Sequence, residues 1–339
     1  MTWTPTKAID VPHSVTPDAS QEYRASRSTL ERLTSTLGDA ALEVAWTQWA
    51  AMGSTASSRR RARSIVDPEA LLLLSLALAP RERRLDDVVH DWVAIASDLL
   101  SVQRIGNLAE AYPAHVDVSL GELAGTALRR GKDSRWKALA VPPGDKPDGS
   151  KERRTNKVRA VRPPLIEPPI LLLRLRLAFG VGIKADTLGF LLGTDGAWAS
   201  VRVIAAATGY TASAVRRAVD DMAAARVVHS LEDTATQYRA DPAAWAAMLE
   251  IPEPLPPWRR WQERFAFVAA FVDWSERMRD TRLSRYALAS SGRDLLEAHA
   301  SAFARDRVVP WRSEAPADEW PEILDRAVTS LAEWMREQV

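Results

Sequence analysis

The chain contains no cysteine among its 339 residues. Without cysteine, a protein can form no disulfide, no thiolate zinc site, no iron–sulfur cluster and no thiol nucleophile. The histidines show neither the HExxH pattern nor the paired spacing of a zinc site, and they are His13, His90, His115, His229 and His299. We therefore expect no metal site and no cofactor.

Long uncharged apolar runs are missing as well. The run from Ala70 to Ala79 is too short to span a bilayer, and the run from Pro168 to Ile183 is interrupted by Arg174 and Arg176. The first residues do not show the basic stretch followed by an apolar core that marks a secretory signal. We expect a cytoplasmic protein with no membrane partner.

An excess of charge of one sign is also absent, because the formal net charge is only +1. The field of the whole protein therefore does not indicate a nucleic-acid partner. One segment differs: between residues 129 and 162, twelve basic residues stand against four acidic ones. This segment is rich in proline and glycine, and we interpret residues 131–164 as a basic linker.

Helical periodicity is what the sequence has in quantity. After a leader at 1–20, apolar residues recur at spacings of three and four through 21–130, and Asp67 followed by Pro68 predicts a helix start there. Residues 251–339 predict further amphipathic helices and hold six of the 13 tryptophans. We expect this end to bury a large surface against another part of the chain or against a partner.

A different pattern occupies the centre of the chain. A short helix from Ser200 to Thr208 is followed by Gly209, which suits a left-handed corner, and by Thr211, which suits a helix cap. The next helix is predicted over Ala212–Ala224, and its apolar side consists of Val215, Ala218, Val219 and Met222. Two short strands with a turn at 232–235 complete the pattern.

The phrase IAAATGYTASAVRRAVDDMAAARVV at 204–228 resembles the helix-turn-helix of winged-helix transcriptional regulators of the MarR and ArsR kind. The resemblance covers residues 183–241, under a fifth of the chain. It implies a helix, a short strand, a helix, a recognition helix and a β-hairpin wing. The preceding phrase LLLRLRLAFGVGIKADTLGFLL is similar to regulators encoded beside nucleotidyltransferase-type toxins, which implies an antitoxin or autoregulator with a toxin or self partner.

The resemblance places candidate DNA contacts on the second helix of the motif and around it. Ser213, Arg216 and Arg217 would meet base edges and nearby phosphates. The sugar–phosphate backbone would be held by Tyr210, Thr211, Thr234, Thr236 and Tyr238, and the basic linker would add Arg153, Arg154 and Lys157. Two alternatives stay open: Tyr238 can instead pack within the wing, and the linker can be an ordinary solvated one.

The charge of the helix-turn-helix motif supports an alternative function. Between Val201 and Asp241, five arginines balance five acidic residues, which is poor for phosphate binding. The favoured function is sequence-specific binding of double-stranded DNA, as a transcriptional regulator. The alternative is a protein-interaction module, such as an antitoxin or an antiviral defence component, in which the winged helix serves packing or partner binding.

No catalytic constellation is predicted. The carboxylate pairs Asp86–Asp87 and Asp220–Asp221 are adjacent in helices and diverge by about 100 degrees, so solvated faces are the simpler interpretation. The glycine turns GTDGAW and GVGIK match neither a P-loop nor a dinucleotide fingerprint. The prediction is a non-enzymatic, mainly α protein with a helical N-terminal domain (21–130), a central winged helix-turn-helix domain (165–250) and a helical C-terminal region (251–339).

Overall fold

The computed structural model describes residues 19–54, 60–140, 162–232, 235–279, 285–304, 310–316 and 319–339. Over these ranges the chain is mainly helical, with one small antiparallel sheet. The α-helices are α1 (Ala19–Ala51), α2 (Pro68–Leu78), α3 (Arg83–Ala96), α4 (Val102–Ala109), α5 (Ala114–Arg129), α6 (Leu171–Phe179), α7 (Ile183–Gly193), α8 (Val201–Thr208), α9 (Ala212–Ala224), α10 (Pro242–Leu249), α11 (Trp261–Arg279), α12 (Arg285–Ala298) and α13 (Trp320–Glu337). The strands are β1 (Ala199–Ser200), β2 (His229–Leu231) and β3 (Gln237–Arg239).

Local sequence signals explain where several helices begin. The Asp67 side chain accepts a hydrogen bond from the Ala70 N–H at 3.2 Å, and Pro68 occupies the first position of α2. Ser101 caps α4 by accepting from the Arg104 N–H at 3.3 Å. The helix start predicted at Asp67 is confirmed. None of the helices in the described ranges has the length and apolar character needed to cross a membrane.

The larger hydrophobic core joins helices from both ends of the chain. It contains side chains from α1 to α5 together with side chains from α11, α12 and α13. Its large buried aromatic residues include Trp49, Trp92 and Trp261. The indole N–H of Trp49 donates to Ser75 Oγ at 2.8 Å, so its polar edge is satisfied. The Trp-rich end therefore packs against the N-terminal helices of the same chain.

The smaller hydrophobic core is built from α6 to α10 and the sheet, with Ile65 as a contribution from outside. The strand order is β1-β3-β2, and both pairings are antiparallel. Tyr238 in the central strand lies opposite Ala199 on one side and Ser230 on the other. This register turns the Tyr238 side chain into the core, where it is buried.

A close backbone contact holds the two cores together. The Trp258 N–H donates to the Gly193 carbonyl at 2.8 Å, and the Ile65 N–H donates to the Pro257 carbonyl at 3.0 Å. A Cβ at position 193 would lie 2.6 Å from the Trp258 nitrogen, so only glycine fits at this approach. The smaller core is thereby fixed to the extended segment that leads into α11.

Candidate nucleic-acid interface

The corner between α8 and α9 is set by two residues. Gly209 has a φ of +76° and ends α8, with its N–H donating to the Ala205 carbonyl at 3.0 Å. Thr211 Oγ1 then accepts from the Ala214 N–H at 3.3 Å, which starts α9 at Ala212. The predicted bounds of α9 are confirmed. Thr211 itself stays exposed.

The α9 helix has one buried and one exposed side. Val215, Ala218, Val219 and Met222 are buried in the smaller core. Ser213, Arg216 and Arg217 are exposed on the other side. In the part of the chain that the structure describes, neither arginine forms an ion pair. The two guanidinium groups are therefore available to an external acceptor.

The two acidic residues at the far end of α9 have internal partners. Asp221 pairs with Lys184 of α7 at 2.9 Å. Asp220 accepts from the Tyr238 hydroxyl at 2.5 Å. Burial and the Asp220 carboxylate raise the pKa of Tyr238 to about 12, so the phenol stays protonated and donates. These contacts support the packing alternative for Tyr238, because its hydroxyl is already committed within the protein.

The hairpin formed by β2 and β3 presents a mixed surface. All three residues of β2 are exposed, and Leu231 keeps 45% of its surface accessible. The Arg239 guanidinium lies 4.8 Å from the centre of the Trp198 ring, which favours a cation–π contact. Thr236 is half-buried at the start of β3. The hairpin therefore combines an apolar tip residue with a stacked cation.

Tyr210 faces the protein interior. Its hydroxyl donates to Asp186 Oδ2 at 2.8 Å. Burial, together with the Asp186 charge, raises the pKa of Tyr210 above its usual value. Asp186 in turn accepts from Arg176 Nε at 2.7 Å. We predicted that Tyr210 contacts the DNA backbone, but its hydroxyl instead binds Asp186 within the protein.

Two buried arginines extend this contact into a network of charges. Arg176 binds Glu69 through both terminal nitrogens, at 2.5 and 3.0 Å. Arg104 binds both oxygens of Asp67 at 2.6 Å and Glu69 Oε2 at 2.8 Å. Bidentate pairs of this kind fix orientation as well as charge. The network links α2, α4, α6 and α7.

The same network reaches the corner through Arg104. Its Nε donates to the Thr208 carbonyl at 2.9 Å, and its Nη2 donates to Gln262 Oε1 at 3.2 Å. Burial alone would raise the pKa of Glu69, but Arg176 and Arg104 lower it below the usual value. The Glu69 carboxylate is therefore ionised and holds both guanidinium groups. The end of α8 is thus attached to the larger core.

The sequence indicated only a part of this network. Arg176 stands out in the sequence as a charge inside an apolar run, and it pairs with Glu69 and Asp186. For Glu69 and Asp186 the sequence gives one weak indication of a buried ion pair: each is the single acidic residue of an apolar helix. A charged side chain in such a position needs a buried partner. No local pattern identifies that partner.

Four predicted contact residues lie outside the described residues: Arg153, Arg154, Lys157 and Thr234. Within the described ranges, no group of three or more histidine, aspartate or glutamate side chains is arranged to hold a metal ion.

Comparison of the chain with known protein families, with curated protein sequences and with solved structures finds no match.

Proposed function

We propose that this protein binds double-stranded DNA through the exposed side of α9 and acts as a transcriptional regulator, as a binding protein rather than an enzyme. One observation carries the proposal. Arg216 and Arg217 project from a helix whose opposite side is buried, and no ion pair occupies them in the described part of the chain. A recognition helix requires this division, because one side docks on the protein while the other enters the major groove.

The order of elements supports the same proposal. The segment α7–β1–α8–α9–β2–β3 follows the order helix, short strand, helix, recognition helix and wing that the winged-helix resemblance implies. We therefore propose that α9 is the recognition helix and that the β2–β3 hairpin is the wing. Arginine matches the acceptors of guanine in the major groove, and serine can bind a base edge or a phosphate.

We assign the contacts to the DNA backbone to Thr211, which is exposed at the start of α9, and to Thr236, which is half-buried just before β3. Tyr210 and Tyr238 support those groups from inside, through Asp186 and Asp220. Two exposed cations on neighbouring elements, Arg202 in α8 and Arg239 in β3, add positive charge to this side.

The test is fluorescence anisotropy on the DNA upstream of the coding sequence and on a scrambled duplex of equal length, at about 50 and 200 mM salt. We expect selective binding that weakens as salt rises. The Arg216→Ala/Arg217→Ala double variant should lose the selectivity. Arg326→Ala, which removes an exposed arginine from α13, is the matched control and should bind like the parent. Equally weak binding of both duplexes by the parent protein contradicts the proposal.

A second candidate, a protein-interaction module such as an antitoxin or defence component, is favoured by the surface around α10. This helix contains no charged residue, yet Met248 keeps 61% of its surface accessible. Leu177 and Phe179 are also exposed, and the Phe179 ring lies 5.9 Å from Trp245 in α10. Helices that are apolar all round are normally covered, and exposed apolar patches mark contacts with other proteins.

Affinity purification separates the two candidates. A protein that co-purifies in stoichiometric amount, survives the double arginine substitution and is lost on Met248→Glu would favour the interaction module. Retention of DNA without such a protein would favour the regulator. The Ala243→Glu variant, exposed on the same helix about 140 degrees around from Met248, is a matched charge control for a contact centred on Met248.

A further inference from the structure

The three-stranded sheet of the smaller core has an outer face that is separate from α9. Side chains along a strand alternate between the two faces of a sheet. Tyr238 of the central strand β3 points into the core, where its hydroxyl binds Asp220 of α9. The neighbours of Tyr238 in β3, Gln237 and Arg239, therefore point outwards, away from the side of the sheet on which α9 packs.

The strand register aligns the outward side chains in two rows across the sheet. In the pairing of β3 with β2, Arg239 lies opposite His229. In the pairing of β3 with β1, the same register brings Trp198 beside Arg239. The first row is Trp198, Arg239 and His229, and the second row is Ser200, Gln237 and Leu231. Neither row contains a carboxylate.

The first row consists of planar groups that are open to solvent. All three of its side chains are exposed. The Arg239 guanidinium lies over the Trp198 ring, 4.8 Å from its centre, and forms no ion pair in the described part of the chain. Neighbouring strands lie about 4.8 Å apart, so the row is about 10 Å long. Stacked bases are about 3.4 Å apart, so this length accommodates two of them.

Other arginine–tryptophan pairs in the described ranges lack this combination. Arg84 lies over Trp46, but its guanidinium donates to both oxygens of Glu82, at 2.9 and 3.0 Å. In the pair of Arg264 with Trp334, the indole ring is half-buried. The pair on the outer face of the sheet joins an exposed ring to a cation without an ion pair, and so it is open to an external anion.

The chemistry of the two rows fits an unpaired strand of DNA. Exposed bases stack on aromatic rings and on arginine guanidinium groups, and the arginine charge attracts the phosphates. Bases inside a duplex are stacked on each other and cannot do this. Leu231 in the second row keeps 45% of its surface accessible. An apolar side chain in this position suits the methyl group of thymine, which uracil in RNA lacks.

We propose that the outer face of this sheet binds single-stranded DNA, with bases stacked along Trp198, Arg239 and His229 and a thymine methyl group against Leu231. This inference goes beyond the proposed function, because it concerns unpaired bases and a surface other than the exposed side of α9. It stands or fails independently of duplex recognition by Arg216 and Arg217.

Fluorescence anisotropy of the full chain with a labelled oligothymidylate of about 12 nucleotides tests the site. We expect saturable binding that is at least about fivefold weaker for Arg239→Ala and for Trp198→Ala. Arg84→Ala is the matched control, because it also removes an exposed arginine that lies over a tryptophan, and it should bind like the parent.

A comparison of ligands on the parent protein gives a test that needs no variant. A strand of equal length without bases keeps the sugar–phosphate charge but cannot stack, and it should bind at least about fivefold more weakly than oligothymidylate. Oligouridylate RNA should also bind more weakly, because it lacks the methyl group. Binding of the RNA as tight as that of oligothymidylate, or tighter, overturns the assignment to DNA.

Three results overturn the site itself. They are no saturable binding of oligothymidylate, equal binding of the strand without bases by the parent protein, and a folded Arg239→Ala variant that binds like Arg84→Ala. The Arg216→Ala/Arg217→Ala double variant separates this proposal from the proposed function. It should keep its affinity for oligothymidylate within about twofold while losing duplex selectivity, and loss of both would place the single strand on α9 and overturn the sheet site.

Discussion

Two pairs of arginines on either side of the α8–α9 corner have opposite environments. Arg104 and Arg176 keep 2% and 1% of their surface accessible and are bound by carboxylates and backbone carbonyls. Arg216 and Arg217 are exposed and form no ion pair in the described part of the chain. The difference teaches that one residue type serves two purposes here. The buried pair fixes the corner, and the exposed pair stays accessible to an external acceptor.

Removing a buried arginine should have the largest effect. Arg176→Ala leaves Glu69 and Asp186 buried without their common partner, which should lower the free energy of unfolding by about 3 to 5 kcal/mol. Arg174→Ala, two positions earlier in α6, is the matched control and should change it by less than about 0.5 kcal/mol. Urea denaturation measures both. Similar losses for the two variants would show that the network adds nothing specific.

Removing an exposed arginine should change the affinity for DNA and leave the free energy of unfolding nearly unchanged. We expect Arg217→Ala to weaken binding to the specific site by about 1 to 3 kcal/mol and binding to random DNA by less. Its free energy of unfolding should stay within about 0.5 kcal/mol of the parent. Anisotropy and urea denaturation of the same preparation give the two values. Equal losses on specific and random DNA would remove the claim that Arg217 contacts a base.

A substitution at the α8–α9 corner should have an intermediate effect on the free energy of unfolding. Thr211→Ala removes the acceptor for the Ala214 N–H and should destabilise the protein by about 1 kcal/mol. Thr211→Ser keeps the hydroxyl and is the matched control. Thermal unfolding compares the three proteins. If the serine variant loses as much as the alanine variant, the cap at the start of α9 is not the cause.

The smallest effect is expected at Tyr238 and depends on pH. The pKa of its hydroxyl is raised to about 12 in the folded protein, whereas an unfolded tyrosine titrates near pH 10. The hydroxyl therefore adds stability below about pH 10 that is lost as pH rises through the folded-state pKa. Tyr238→Phe lacks this contribution, which at neutral pH is about 1 kcal/mol or less.

Urea denaturation of the parent and of Tyr238→Phe, at a series of pH values from neutral to alkaline, checks this prediction. The difference between the two proteins should shrink as the pH passes the folded-state pKa. A difference that stays constant over the whole series would mean that folding does not raise the pKa of the Tyr238 hydroxyl.

The elements around the candidate interface could be predicted because their signals are local. Thr211, Gly209 and an apolar repeat within one helix define α9, and its predicted and observed bounds agree. The mainly helical fold class follows in the same way from periodicity along the chain. The side of α9 that faces the smaller core was predictable for this reason, since helical spacing alone divides Val215 and Val219 from Arg216 and Arg217.

The buried network could not be predicted because its members are far apart in sequence. Arg104 meets Asp67 across 37 positions, and Arg176 meets Glu69 across 107. Tyr210 was assigned to the DNA backbone from its place in the motif, but its acceptor lies 24 positions earlier, in α7. Side-chain periodicity fixes which way a residue points relative to its own helix, and tertiary packing decides what it meets there.

The larger core also imposes an order of assembly during synthesis. Arg336 in α13 donates to the Thr36 carbonyl in α1, a contact between residues 300 positions apart. The smaller core, by contrast, is built from one continuous stretch with the addition of Ile65. A chain leaving the ribosome can therefore complete the smaller core while α1 and the wholly apolar side of α2 still lack their partners in α13 and α11. Until α13 emerges, these N-terminal helices expose apolar surface that the finished fold covers.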